Sequence, residues 1–191
     1  MMTRDRILEL AVTLNSPSLT ERLTIEPLTR NHAKLLFPLM QDQRIYEWIS
    51  SLPPKDLNKL SKVWADRESR VSPDGQEAWL NWVVSRSSDG ACVGKLDVSV
   101  NAEFVATNVG YFFFPEHWGQ GYATESVSAL TKHLASHGVK KMIATVTKGN
   151  AASNRVLEKS GYKQTRIIAD NDEIRGVKYD DVEFIFTVSE L

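Results

Sequence analysis

Hydrophobic and polar residues alternate in blocks along this chain, and the period of the alternation changes several times. Ile7, Leu10, Ala11 and Leu14 recur at helical spacing and stop before Pro17. That pattern predicts a short N-terminal helix, an appendage within residues 1–18. RLTIEPL, Arg22–Leu28, alternates Leu23 and Ile25 up to Pro27 and reads as a first strand near a sheet edge. Thr29 can cap the next segment, where Ala33, Leu36, Leu39 and Met40 mark a helix bent at Pro38. After Pro53-Pro54, a second helix candidate runs from Asp56 to Arg70 with Leu57, Leu60 and Trp64 on one face.

From Ala78 the period shortens to two. AWLNWVVSR and CVGKLDVSV flank SSDGA, a hairpin turn, and NVGYFFF follows as a third member of the meander. A helix from about Gly121 to Ser136 sets Ala123, Val127, Leu130 and Leu134 on its inner face. Lys141–Thr147 reads as a strand, Ala151–Lys159 as a short helix, and YKQTRII and DDVEFIFTV as closing strands. The expected fold is five or six strands around four helices in mixed order, an α+β (mixed α/β) domain over residues 19–191 with no internal repeat or linker.

Composition narrows the function classes. A chain of 191 residues suits one domain, and 42% hydrophobic with 25% charged residues is ordinary for a soluble globular protein. Lys plus Arg (23) nearly balance Asp plus Glu (24), giving a net charge of -1 and a pI near 6.4. No basic excess points to a nucleic-acid or anionic-membrane partner. The apolar runs fall well short of the ~20 residues of a membrane span, and Glu9 interrupts an N-terminus too short in its apolar centre for a signal peptide. The single Cys92 cannot form an internal disulfide and reads as a small apolar strand residue, which fits a cytoplasmic protein. His32, His117, His133 and His137 share no metal-ligand spacing, so no metal is expected.

The chemistry concentrates in FFFPEHWGQGYATES, Phe112–Ser126, a strand that stops at Pro115 and turns through Gly119 and Gly121 into a helix. Glycine at a helix position costs about 1 kcal/mol against alanine. Here it exposes the first helical N–H groups, which have no partner inside the helix and form an anion site with the helix dipole. The chain lacks GxxxxGK[ST] and lacks GxGxxG after a first strand, so neither a triphosphate loop nor a dinucleotide fold accounts for the turn. The pattern points to a pyrophosphate-containing cofactor; a glycine turn without a ligand is the alternative.

WGQGYATES together with the later NAASNRVLEKSGY, Asn150–Tyr162, resembles the GNAT superfamily of N-acetyltransferases, specifically the RimJ/RimL branch that acetylates protein N-termini. The likeness runs from TERLTIEPLT at Thr20 to the last strand. In that superfamily a Q/R-x-x-G-x-G/A segment opens the helix holding the acetyl-CoA pyrophosphate, and here it falls on Trp118, Gly121 and Ala123. Trp118 stands where Gln or Arg is usual, and WGxGYATE is how this branch commonly reads.

The resemblance implies a central, mostly antiparallel sheet with a splayed strand pair at the acetyl-CoA site. It implies that the segment of Trp118, Gly119, Gln120, Gly121, Tyr122, Ala123 and Thr124 holds the pyrophosphate, and that backbone around Phe112 and Phe113 pairs with the pantetheine arm. The two phenylalanine side chains themselves read as plain core, the pantetheine contacts being made by backbone. Asn150 would bind the pantetheine or the adjacent turn, or simply cap its helix. Many members place a tyrosine seven residues after that asparagine, where this chain has Leu157. The branch pattern NxxS puts Ser153 in reach of the leaving thiolate instead; a hydroxyl bonded to backbone is the alternative.

No general base stands out. Asn108 occupies a position where this branch frequently carries a glutamate, leaving Asp97, Glu103, Asp172, Glu173 or water. The acceptor is an amine, by this likeness a peptide N-terminus or a small amine such as a polyamine or aminoglycoside-like compound, bound by a monomer or homodimer. An α-amine of pKa ~7.7–8.0 is roughly a tenth free base at pH 7, whereas a lysine amine is free only about 1 part in 2,500. A site without an obvious base therefore leans toward α-amines. Trp48, Trp64 and IYEWISSLPP lie where the branch recognises its acceptor, and Asp170–Glu173 with Asp180 and Asp181 could attract a cation, unless they form only packing and a solvated loop. A non-catalytic acyl-CoA-binding protein on the same fold is the rival reading.

Overall fold

The computed structural model describes residues 4–188; residues 1–3 and 189–191, the outer ends of the two expected spans, lie outside it. Among the described residues there are eight strands and five α-helices, against the five or six strands and four helices expected. In chain order these are α1 (Arg4–Leu14), β1 (Ser18–Leu19), β2 (Leu23–Pro27), α2 (His32–Leu39), α3 (Leu57–Arg67), β3 (Glu77–Arg86), β4 (Cys92–Asn101), β5 (Val105–Phe113), α4 (Tyr122–Ser136), β6 (Lys141–Thr147), α5 (Ala151–Lys159), β7 (Lys163–Ile174) and β8 (Val177–Thr187). β1, which matches none of the segments read as strands, has two residues and shows no alternation to read.

All eight strands form one sheet in the order β1-β2-β3-β4-β5-β6-β8-β7, antiparallel except between β5 and β6. That exception shapes the site. β5 and β6 pair only at Val105↔Lys141 and Ala106↔Met142, after which β6 follows β8 over its whole length and β5 follows β4. The sheet is therefore splayed from Ala106 onward.

The two sheet faces bury different sets. Leu80, Trp82, Leu96, Val98 and Val109 face the stripe Val127, Leu130 and Leu134 of α4, and α1 adds Ile7, Leu10, Ala11 and Leu14 to that same core. On the other face Val83, Cys92 and Phe114 meet Leu36 of α2 and Leu60 and Trp64 of α3. Strand alternation alone sends neighbouring residues to opposite cores.

One local detail departs from expectation. Thr29 does not cap α2: the helix starts after Asn31, and the Thr29 N–H bonds to His32 Nδ1 at 3.0 Å. Pro38 sits one residue before the end of that helix at Leu39, so the backbone bond it removes belongs to the final turn. α3 is capped by Asp56, whose carboxylate accepts the Lys59 N–H at 2.7 Å. No helix among the described residues is long and apolar enough to cross a membrane.

Candidate active site

A cavity of about 510 Å³ opens where β5 and β6 part. Its floor is Tyr111, Phe112 and Phe113, one wall the start of α4, another the start of α5, and a third the segment Arg44–Ile49. Of the residues singled out from the sequence, Phe112, Phe113, Trp118, Gly119, Gly121, Tyr122, Ala123, Thr124, Asn150 and Ser153 line this one cavity. Gln120 lies outside the lining, and its carbonyl accepts from Arg22 at 3.0 Å.

The glycine turn has the conformation that only glycine takes at little cost. Gly119 has φ +75° and Gly121, the N-cap of α4, φ +81°. No heavy atom lies within 4 Å of where a Cβ on Gly119 would stand, so a ligand can approach the backbone there. No side chain caps α4, which leaves its first N–H groups available. The turn is held from behind. Arg22 bonds the Gln120 carbonyl, chelates Glu125 in the first turn of α4 at 2.6 and 2.7 Å, and lies 4.8 Å above the Tyr122 ring. Glu125 also accepts from the Thr20 hydroxyl at 2.6 Å. Burial works to raise its carboxyl, but Thr20 and Arg22 outweigh that and hold it below the usual carboxylate range.

Trp118 replaces the usual polar residue with a different bond. Its indole N–H donates to the Phe113 carbonyl at 2.6 Å, while the residue stays 48% exposed. Phe114 N–H pairs with Val93 of β4, so by alternation the Phe113 backbone faces the gap. The indole thus ties the glycine turn to the parted strand and takes one of the carbonyls on that edge.

At the start of α5, Asn150 caps the helix, its side-chain oxygen accepting the Ser153 N–H at 3.1 Å. The Ser153 hydroxyl lies 2.8 Å from the Tyr111 phenol, which also reaches the Ser153 carbonyl at 3.2 Å. Burial raises the Tyr111 pKa above its ordinary value, so the phenol stays protonated at neutral pH. Sequence reading passed over Tyr111. The signal was there: Tyr111 alternates with Phe112, so it points to the α5 face of the sheet. Leu157, four residues further along α5, is buried in the core and offers no hydroxyl.

The candidate bases are scattered. Asp97 bonds the buried Lys95 ammonium at 3.0 Å, and its second oxygen is 3.5 Å from the Asn108 amide. Burial opposes ionisation of Asp97, yet the Lys95 charge keeps its carboxyl below the usual range. Glu103 sits in the β4–β5 turn, and Asp172 and Glu173 on β7. None of the four lines the cavity, whose one carboxylate among the described residues is Glu47. Trp48 lines the cavity; Trp64 is buried in the smaller core. No group of three or more His, Cys, Asp or Glu among the described residues is placed to hold a metal ion.

A mixed sheet parted at a parallel junction, with an uncapped glycine-led helix beside the parting, is the architecture of an acetyl-CoA-dependent acetyltransferase. Residues 22–163 match the acetyltransferase (GNAT) domain, and the chain belongs to that family. It is 21% identical over 163 residues to an uncharacterized N-acetyltransferase, YoaA, of Bacillus subtilis, covering 84% of this chain and 90% of that one. Its fold is similar to that of RimL, a ribosomal L7/L12 alpha-N-protein acetyltransferase solved with coenzyme A, at TM-score 0.79 and 16% identity over 90% of this chain and 97% of that one. A spermidine N-acetyltransferase of Vibrio cholerae, solved with CoA and spermine, superimposes at TM-score 0.73 and 18% identity, covering 88% and 96%.

Proposed function

We propose that this chain transfers the acetyl group of acetyl-CoA to the α-amine of a protein or peptide N-terminus, by direct attack within a ternary complex. The observation that carries this reading is one cavity joining the glycine turn of α4 to the Ser153–Tyr111 hydroxyl pair of α5. In this reading the N–H groups of Gly119–Thr124 hold the pyrophosphate, supported by Arg155 and Lys159 on the facing wall. The open edge of β5 at Tyr111 and Phe113 holds the pantetheine arm as an added strand.

Acetyl-CoA supplies an activated thioester, and the protein supplies placement and a hydrogen bond. As the amine nitrogen bonds to the acetyl carbon and the carbon–sulfur bond breaks, Ser153 donates a hydrogen bond to the departing sulfur and Tyr111 orients the Ser153 hydroxyl; the amine gives up its proton to water and the thiolate takes one from water, so both hydroxyls end as they began. The thiolate is a weak base with a pKa like that of cysteine, ~8.5, so a neutral hydroxyl pair suffices. No carboxylate on β5 takes the amine's proton, since Asn108 holds that place. An amine that is partly free at neutral pH therefore suits the site better than a lysine. The test is release of free CoA thiol across peptides beginning with Ser, Ala or Thr, polyamines, aminoglycosides and free amino acids. Turnover of the peptides supports the reading, and acetyl-CoA binding without turnover of any amine would replace it with a non-catalytic acyl-CoA-binding role.

A further inference from the structure

The chain ahead of residue 22, where the match to the acetyltransferase domain begins, is bonded to both ends of α4. At the far end, His133 Nε2 lies 2.8 Å from the Leu14 carbonyl; a carbonyl only accepts, so the imidazole carries its proton there. Leu14 closes α1, and its carbonyl is one of the last four of that helix, which have no partner inside it. The His137 ring packs 4.4 Å from the His133 ring, and its Nδ1 donates to the His133 carbonyl at 2.7 Å. At the near end, the Thr20 hydroxyl donates to Glu125 in the first turn of α4, behind the glycine turn. The same oxygen accepts the Leu23 N–H at 2.9 Å, which orients it.

The chain between those two bonds is a strap. Eight residues of helix, about 12 Å at 1.5 Å each, separate Glu125 from His133. The six residues from Leu14 to Thr20 reach about 20 Å when extended, so they cover that distance running antiparallel to α4. Midway, the buried Trp82 donates its indole N–H to the Ser16 carbonyl at 3.3 Å, and Ser18 and Leu19 pair with Ile25 and Thr24 of β2. α1 anchors the root through Ile7, Ala11 and Leu14, all fully packed in the larger core. A short segment fixed at root, middle and tip has little slack, and α4 leans on it at both ends.

We infer that the strap from α1 to Thr20 positions α4 for acetyl-CoA, with His133 as the positioning residue at the far end. This rests on the acetyl-CoA reading of the glycine turn. The docked strap and bound acetyl-CoA favour the same placement of α4, and linkage makes the effect mutual. Loosening the strap weakens acetyl-CoA, and acetyl-CoA tightens the strap by the same factor. The α4 residues that line the cavity are Tyr122, Ala123 and Thr124, so His133 acts through the helix and not by contact.

The experiment compares full-length wild type with His133→Leu and His133→Gln. Leucine removes the N–H at similar size, and glutamine returns an amide N–H at similar reach. Acetyl-CoA affinity is read by calorimetry, stability by thermal melts without ligand, and backbone amide exchange by mass spectrometry with and without acetyl-CoA. His133→Leu should weaken acetyl-CoA about fivefold, and His133→Gln should bind within about twofold of wild type. In wild type, saturation with acetyl-CoA should slow exchange in α1 more than in α3, which packs on the opposite face of the sheet. A leucine variant that binds acetyl-CoA as wild type does, even if it melts lower, overturns the inference and leaves the acetyl-CoA reading intact. Glutamine no better than leucine, or equal protection of α1 and α3, overturns it too, and the exchange comparison needs no variant to fold. A wild type that does not bind acetyl-CoA overturns both readings together.

Discussion

The Tyr111 phenol and the Ser153 hydroxyl stand 2.8 Å apart, bridging the parted strand β5 and the first turn of α5. If they act as one hydrogen-bonded pair on the leaving sulfur, their losses do not add. Ser153→Ala should lower kcat by about tenfold to a hundredfold, Tyr111→Phe by less, and the double variant no more than Ser153→Ala alone. Acetyl-CoA affinity should hold in all three. Steady-state kinetics with direct measurement of CoA binding separates this from simple damage to the cavity.

Arg22 acts on a different step. It holds the Gln120 carbonyl and Glu125 but lies behind the turn. Arg22→Ala should weaken acetyl-CoA binding about tenfold while leaving kcat at saturation near wild type, a KM effect without a rate effect. Equal loss in kcat and kcat/KM would instead place Arg22 in the chemistry.

Glu125 gives that clamp a pH signature in stability. Its folded pKa is lowered, so the stability it contributes is fully present above the unfolded value of about 4.3 and is lost as pH falls through the folded value. Glu125→Gln should flatten the acid side of a melting-temperature profile and leave the neutral region parallel to wild type. A variant whose acid limb superimposes on wild type would show that the pair carries no linked protonation.

The glycine turn predicts a separable cost. Gly121→Ala forces a left-handed φ of +81° on alanine, which should destabilise the fold by about 1–2 kcal/mol. Gly119→Ala meets the same conformational penalty in open space, so any loss of CoA affinity beyond the stability change comes from the added methyl meeting the ligand. Thermal melts with and without CoA divide the two effects.

Activity should follow the acceptor rather than the enzyme as pH varies. Tyr111 remains protonated through neutrality, because burial raises its pKa. With an α-amine peptide, kcat/KM should rise with pH through about 7.7–8.0 and then level. A midpoint that stays fixed as acceptors of different amine pKa are exchanged would identify a protein base in its place.

Much of this site was readable because its parts are local. A strand, two glycines and an amphipathic helix are adjacent in the chain, and Asn150 and Ser153 share one helical turn. What escaped depends on contacts across the chain. Tyr111 meets Ser153 over a separation of 42 residues, and Glu47 is fixed by Arg175 over 128. The length of β7 escaped for another reason. Its polar tail, Asp170–Glu173, carries no apolar alternation, and pairing with β8 past an irregularity extends it regardless. The apolar stripe of α1 is legible in the sequence but not the surface that receives it; Leu14 and Ala11 are fully buried.

The seam between β5 and β6 divides the sheet into leaves of five and three strands joined by two rungs. Such a sheet has inner margins whose amides water must serve until something else lies along them. A cargo lying along the seam would complete the sheet as a keystone does. At a hundredfold excess over its dissociation constant, such a cargo adds about 2.7 kcal/mol to the folded state. The melting temperature of the protein should therefore climb with the concentration of acetyl-CoA, and a flat profile would show that nothing lies along that margin.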